Sequence, residues 1–143
     1  MSVVQECHSG DLELDRIKEN FTESIQTKIA AAEALSNDIQ TAAQMLTICL
    51  LNGNKILACG NGPAAALSQL FVSQLVHRFE TERPSLPALA LSADSCLLSG
   101  VAAENGFADV YAKQIRALGQ QGDIMLVLAG NGREKALLKA AEA

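Results

Sequence analysis

The stretch Lys55-Ile56-Leu57-Ala58-Cys59-Gly60-Asn61-Gly62-Pro63 decides the fold. Lys55 to Cys59 is a short apolar run bounded by turn residues, which fits a buried parallel strand better than a helix of that length. A glycine-bracketed turn follows, and Pro63 then opens a helix as a favoured first-turn residue. A strand running into such a turn and then a helix builds a ligand pocket. Glycines 60 and 62 tolerate backbone angles that side chains forbid, so main-chain N–H groups can approach an anion at the positive end of the helix. The competing reading is a tight turn with no ligand. Gly60-Asn61-Gly62 lacks the third glycine of a dinucleotide fingerprint, and the later Gly130-Asn131-Gly132 lacks the lysine of a P-loop. Ala64-Ala65-Ala66-Leu67-Ser68-Gln69-Leu70 then offers one hydroxyl and no charge, which describes a binding fold whose chemistry has been removed.

Upstream of this stretch, residues 1–10 carry no periodicity and read as a loose leader. From Asp11, Leu14, Ile17, Phe21, Ile25, Ile29 and Ala32 recur at three- and four-residue spacing, predicting a long helix to about Leu35. Ser36-Asn37-Asp38 supplies a stop and a new N-cap, and a second helix with Ile39, Ala42, Ala43, Leu46, Leu50 and Leu51 expected to face inward runs to a terminus at Asn52-Gly53-Asn54. The first helix is striped strongly enough to pack on another subunit as easily as on its own domain. Downstream, the helix from Pro63 runs to about Phe79, with Leu67, Phe71 and Leu75 at core spacing and His77 interacting with its C-terminus. The run Glu80-Thr81-Glu82-Arg83 reads as a solvated connection. Leu86 to Ser92 is the second strand, Asp94-Ser95 caps a helix to about Ala103, and Asp109 to Leu118 is another helix ended by Gly119. Ile124 to Leu128 is the third strand, followed by the turn 129–132 and a last helix from Arg133.

Repetition of strand, turn and helix after a helical prelude predicts an α/β fold, a flavodoxin-like parallel sheet with helices on both faces. Ligands of such sheets bind beyond the carboxyl ends of the strands, which is where Gly60, Asn61, Gly62, Asp94, Ser95 and Gly130 all fall. These six are the candidate ligand-pocket residues.

Composition narrows the function. With 143 residues, 49% of them hydrophobic, the chain is one domain's worth and can build a core. A net charge of -5 excludes direct nucleic-acid binding by clustered Lys and Arg, so any link to DNA runs through a protein partner. Cys7, Cys49, Cys59 and Cys96 form no C-x-x-C pair and follow no secretory signal, which reads as a cytoplasmic protein with reduced, buried thiols. Cys7-His8 has only His77 as a further histidine and does not make a metal site; no metal or other cofactor is expected. No run reaches the roughly 18 apolar residues of a membrane span.

The segments Phe21 to Lys28, Leu50 to Gly62, Arg78 to Ala88 and Tyr111 to Gly119 resemble the DnaA-initiator-associating branch of the sugar-isomerase (SIS) domain family, related to the phosphoheptose isomerases. The resemblance covers roughly Leu14 to Ala143. It implies a SIS domain over 11–143 that encodes three strands of the family's five-stranded parallel sheet, a homotetramer whose long helices pack between subunits, and binding of the DnaA initiator protein. It also implies that the family's last strands and C-terminal helix, with part of the isomerase site and part of the DnaA-binding surface, are absent from these 143 residues. In the isomerases the helix after the first glycine turn carries a metal-binding histidine and, four residues on, a proton-shuttling glutamate. Leu70 and Gln74 stand at those positions here, and neither can do that work. A phosphate-gripping serine is replaced by Ala64, and a Ser/Thr-rich loop by Ala129-Gly130-Asn131-Gly132-Arg133-Glu134, in which Glu134 opposes a phosphate and Arg133 offers partial compensation.

The leading reading is therefore a non-catalytic protein that binds DnaA and promotes its assembly in chromosome replication initiation, with Asn61, Gln69 and Phe71 as candidate partner-binding residues. The alternatives are a sedoheptulose 7-phosphate isomerase and a phosphosugar-binding module without turnover.

Overall fold

The computed structural model describes residues 3–143, with side chains described from Leu12 onward; the pair Cys7-His8 lies outside the described side chains. In chain order the elements are α1 (Val3–Leu51), β1 (Ile56–Gly60), α2 (Pro63–Val76), β2 (Ala88–Ala90), α3 (Ser95–Asn105), α4 (Val110–Leu118), β3 (Ile124–Leu128) and α5 (Lys135–Ala141). A single 3-10 turn, Phe107–Asp109, leads into α4. The chain divides into two compact units, one reaching Ala43 and one spanning Gln44–Ala143.

The first unit lies within α1, and here two expectations are corrected. Helical backbone begins at Val3, well before Asp11, and runs without a break through Ser36-Asn37-Asp38. The physical reason is local. None of those three residues is a proline or glycine, and the helix absorbs their polarity: Ser36 Oγ bonds the Ala32 carbonyl and Thr41 Oγ1 donates to Asn37 O at 2.9 Å. The apolar stripe also continues in phase, through Ile29, Ala32, Leu35, Ile39 and Ala42. The prelude is thus one helix and not two. Between Leu12 and Ala43 no described side chain is buried, and Ile17, Phe21, Ile25 and Ile29 are all about half exposed or more.

The second unit is built on a three-stranded parallel sheet of order β2-β1-β3. The central strand pairs Ile56 with Ala88 on one side and with Ile124 on the other. Every residue of β1 is buried, as a strand covered on both faces requires. Strand alternation sends Leu57, Cys59, Met125 and Val127 to one face, where they form the core with Leu91, Val101, Val110, Tyr111, Leu137 and Ala140 of the α3–α5 side. Ile56 and Ala58 point to the opposite face, on which α2 packs. Helices therefore flank both faces. The second strand is shorter than the expected Leu86 to Ser92: at its start Pro87 has no N–H to give and the Leu86 N–H donates to the Leu75 carbonyl of α2 at 3.1 Å.

Two ion pairs lock this arrangement. Lys139 Nζ lies 2.9 and 3.0 Å from the two carboxylate oxygens of Asp109, tying α5 to the turn before α4. More buried is the pair at the start of the strands: Asp123 accepts from Lys55 Nζ at 2.6 Å, from the Lys55 N–H at 2.9 Å and from the Gln120 N–H at 2.8 Å. Its side chain is only 6% exposed. Burial works against the charged carboxylate, but the bonds from Lys55 and Gln120 outweigh it and hold the Asp123 pKa below the ordinary value. A depressed carboxyl contributes stability that is fully present above the unfolded Asp pKa of about 3.9 and is lost as pH falls through the lower folded value. Asp123→Asn should therefore lower unfolding stability by about 2 kcal/mol at neutral pH, measured by urea titration, with the gap to the native chain closing under strong acid. An unchanged midpoint at pH 7 would show that this pair does not hold the strands together.

Candidate functional site

The parallel strands deliver their three following turns to one edge of the sheet, as the sequence predicts. At the first turn two glycines are needed for different reasons. Gly60 ends β1 in extended backbone, and a Cβ there would lie 2.7 Å from the Ala64 carbonyl carbon and oxygen and 2.9 Å from the Leu128 carbonyl oxygen. Only glycine allows β1, β3 and the first turn of α2 to meet so closely. Gly62 has φ 54° and ψ -126°, a backbone conformation that side chains resist. Pro63 then starts α2, whose Ala64 and Ala65 N–H groups donate to the Asn61 and Gly62 carbonyls at 3.1 and 3.0 Å.

A chain of polar groups fixes the turn from the α4–α5 side. The Tyr111 hydroxyl lies 2.6 Å from the Gly60 carbonyl oxygen and 3.0 Å from Asn61 Oδ1, both acceptors for its proton. At its other end Asn61 donates from Nδ2 to the Glu134 carboxylate. Glu134 is the N-cap residue of α5, so this bond joins the first glycine turn to the third. Tyr111 is 2% exposed. Burial raises its pKa, and the neighbouring Cys59 and Glu134 raise it further, while burial alone pushes the Cys59 thiol up to about 11. Both groups keep their protons through the neutral range. Tyr111 therefore acts as a hydrogen-bond donor and Cys59 as a buried apolar group, and neither supplies a nucleophile or a base.

The second turn is organised separately. Ser68, fully buried on α2, donates to the Ala65 carbonyl at 2.7 Å and lies 3.2 Å from the Ser92 hydroxyl. Gln69 Nε2 donates to the Ser92 carbonyl at 3.3 Å. Asp94 uses its carboxylate to cap its own helix, accepting from the Leu97 N–H at 2.9 Å, and Ser95 is exposed at the first position of α3. Gly130 is also exposed, and a Cβ there would meet nothing within 4 Å. Of the six expected pocket residues, then, Gly60 and Asn61 are drawn into one network, whereas Asp94 serves its own helix. A mostly apolar hollow of about 170 Å³ opens between β3 and α5, lined by Val127, Leu137, Leu138 and Glu134 among others. That volume is below the several hundred Å³ usual for small-molecule sites.

The outer face of α2 departs from the core spacing read in the sequence. Leu67 is 56% exposed and Leu70 53% exposed, while Phe71 and Leu75 are half-buried; Ser68 is the helix's one buried residue. Leu70 and Gln74 sit one turn apart on a common face. His77 is exposed at the C-cap. Arg83, read as part of a solvated connection, instead caps this helix: its guanidinium donates to the carbonyls of Gln74 at 2.6 Å and Leu75 at 2.9 Å. Cys96, expected to be buried, is exposed, unlike Cys49 and Cys59. Among the described residues no group of three or more His, Cys, Asp or Glu is placed to hold a metal, and no helix is long and apolar enough to cross a membrane.

The SIS domain family matches residues 20–143. This chain belongs to the SIS domain family. It is 55% identical over 130 residues to the DnaA initiator-associating protein DiaA of Photorhabdus laumondii and 56% identical over 130 residues to that of Yersinia enterocolitica, covering 91% of this chain in both cases. The chain spans 66% of the length of each of these relatives. A solved phosphoheptose isomerase from Francisella tularensis superposes with a TM-score of 0.87 at 44% identity, over 91% of this chain and 68% of the isomerase. The SIS frame is thus shared with isomerases.

Sequence reasoning found the turn but missed what fixes it. Tyr111 bonds a carbonyl 51 positions away, a separation over which periodicity says nothing. One signal was present: a lone tyrosine in a chain this poor in aromatics, on the apolar face of a helix, needs a buried partner for its hydroxyl. Tyr111→Phe should lower stability by about 1–2 kcal/mol, seen as a lower denaturation midpoint, because it leaves the buried Gly60 carbonyl without that donor. An unchanged midpoint would mean that the hydroxyl does not secure the turn.

Proposed function

We propose that this chain is a non-catalytic, cytoplasmic SIS-domain protein that binds the DnaA initiator and promotes its assembly in the control of chromosome replication initiation. The observation that carries this reading is the 55–56% identity to proteins named for association with DnaA. A physical argument supports it. At the α2 positions where the isomerases are expected to carry a metal-binding histidine and a proton-shuttling glutamate, this helix presents Leu70 and Gln74; of the titratable groups at the turn, Tyr111 and Cys59 are held protonated and the Glu134 carboxylate is bonded to Asn61. Such a site has no occupant for the proton-transfer role, which weighs against the sedoheptulose 7-phosphate isomerase alternative.

What remains is a surface. Leu67, Leu70 and Gln69 are exposed together on α2 beside the half-buried Phe71, an apolar patch with a polar rim of the kind that suits a protein partner. Gln69 and Phe71 are proposed as contact residues, and Asn61 as the residue that sets the turn beneath them. The exposed stripe Ile17, Phe21, Ile25 and Ile29 on α1 supports a homotetramer in which these helices cover one another between subunits, since a helix gains most of its stability from packing its apolar face. An assembly of that kind would present several DnaA-binding faces at once and so gather initiator molecules.

Retention of the purified chain on immobilised DnaA, together with its solution mass by light scattering, tests the proposal. The expected result is a tetramer that is retained, with Phe71→Ala weakening retention about tenfold or more at unchanged mass. No retention even at low salt would overturn the DnaA reading, and a monomer would overturn the assembly.

A further inference from the structure

We infer that Glu134 is a specificity-determining residue of the glycine turn, an internal occupant whose carboxylate closes the turn to phosphorylated ligands. The inference goes beyond the proposed DnaA association and does not depend on it. Three observations lead to it. The side-chain donor group that the first turn offers is Asn61 Nδ2, and Glu134 accepts one of its two N–H bonds. The Asn61 carboxamide cannot turn this donor elsewhere at no cost, because its Oδ1 is held by the Tyr111 hydroxyl at 3.0 Å and Tyr111 is itself buried against the Gly60 carbonyl. Glu134 is in turn fixed by its backbone, whose carbonyl accepts from the Leu137 and Leu138 N–H groups at 3.0 Å each as α5 begins. The carboxylate is therefore set at the meeting point of the first and third turns by a network with two anchored ends.

The chemical consequence concerns charge. A phosphate monoester approaching the Asn61 amide must either displace the Glu134 carboxylate or sit beside it, and two anions at contact distance repel strongly wherever water is partly excluded. Displacement is opposed as well, since Asn61 would have to break its bond to Glu134 and exchange one anionic acceptor for another with little net gain. Ala64 adds no hydroxyl to offset this, and its N–H already donates to the Asn61 carbonyl at 3.1 Å. An uncharged polyol meets no such repulsion. Arg133, the cation next in the chain, is exposed to solvent and offsets the repulsion of a phosphate only in part. The turn thus discriminates by charge, and the residue that discriminates is Glu134.

The test compares the native chain with Glu134→Gln, which keeps an acceptor for Asn61 and removes the charge, and with Glu134→Ala, which removes both. Binding of sedoheptulose 7-phosphate, of inorganic phosphate and of unphosphorylated sedoheptulose is measured by calorimetric titration, alongside the melting temperature of each protein. The account predicts no measurable binding of either phosphate compound to the native chain, a gain of at least about tenfold in affinity for both on Glu134→Gln, and no comparable gain for the unphosphorylated sugar. Glu134→Ala should show the same gain, so that the result does not rest on one variant's folding. Equal phosphate binding by native and variant proteins overturns the inference. So does absence of binding by both variants, which would put the barrier elsewhere, and so does an equal gain for the uncharged sugar, which would make bulk and not charge the cause. None of these readouts involves DnaA, so their failure is separate from failure of the proposed function.

Discussion

Gly60 has no room for a side chain, and the second unit is arranged around that fact. Its Cα stands within reach of the Ala64 backbone on one side and the Leu128 carbonyl on the other, so the end of β1, the end of β3 and the first turn of α2 converge on a single residue. Convergence this tight exposes a carbonyl that must find a donor, and Tyr111 provides it from α4. The same hydroxyl orients Asn61, and Asn61 reaches Glu134 at the start of α5. Five elements are thereby fixed relative to one another by one close approach and a short run of hydrogen bonds. A larger residue at position 60 would separate them all.

This frame positions a site and at the same time spends its polar groups on structure. Asp94 caps α3, Ser68 bonds within its own helix and to Ser92, and Asn61 is engaged at both ends of its carboxamide. Tyr111 and Cys59 keep their protons because they are buried, and the Glu134 carboxylate is taken up by Asn61. The fold is shared with a phosphoheptose isomerase at a TM-score of 0.87, and α2 carries Leu70 and Gln74 one turn apart on a common face. The apolar character that α2 gains at Leu67 and Leu70 lies on its exposed side, where it adds to a surface and not to the core.

Elements with strong local signals were legible in the sequence. The third strand was read at Ile124–Leu128 because an apolar run stands between turn residues, α2 at Pro63 because proline favours a first turn, and α3 through its Asp94 cap. Misreadings came where a local signal competed with phase or with tertiary structure. Ser36-Asn37-Asp38 resembles a cap, yet the apolar stripe passes through it in step and the helix continues. Leu67 has core spacing but lies on the side of α2 away from the sheet, since Ser68 takes the buried position. The site was legible in part. Gly60 and Asn61 were found from the turn, whereas Tyr111 and the Asn61–Glu134 bond join residues too far apart in the chain for spacing to reveal. Arg83 was likewise read as solvated, because nothing local indicates that a charged side chain will fold back to cap the preceding helix.

The central claim is that the Asn61 carboxamide is held at both ends, by Tyr111 and by Glu134, and it can be observed directly through the side-chain amide protons of Asn61 in a nitrogen–proton correlation spectrum. The account predicts Asn61 amide proton resonances displaced from those of a free asparagine and slow to exchange with solvent. Rapidly exchanging resonances at the positions of a free asparagine would contradict it, and would mean that the turn is set by the backbone at Gly60 alone.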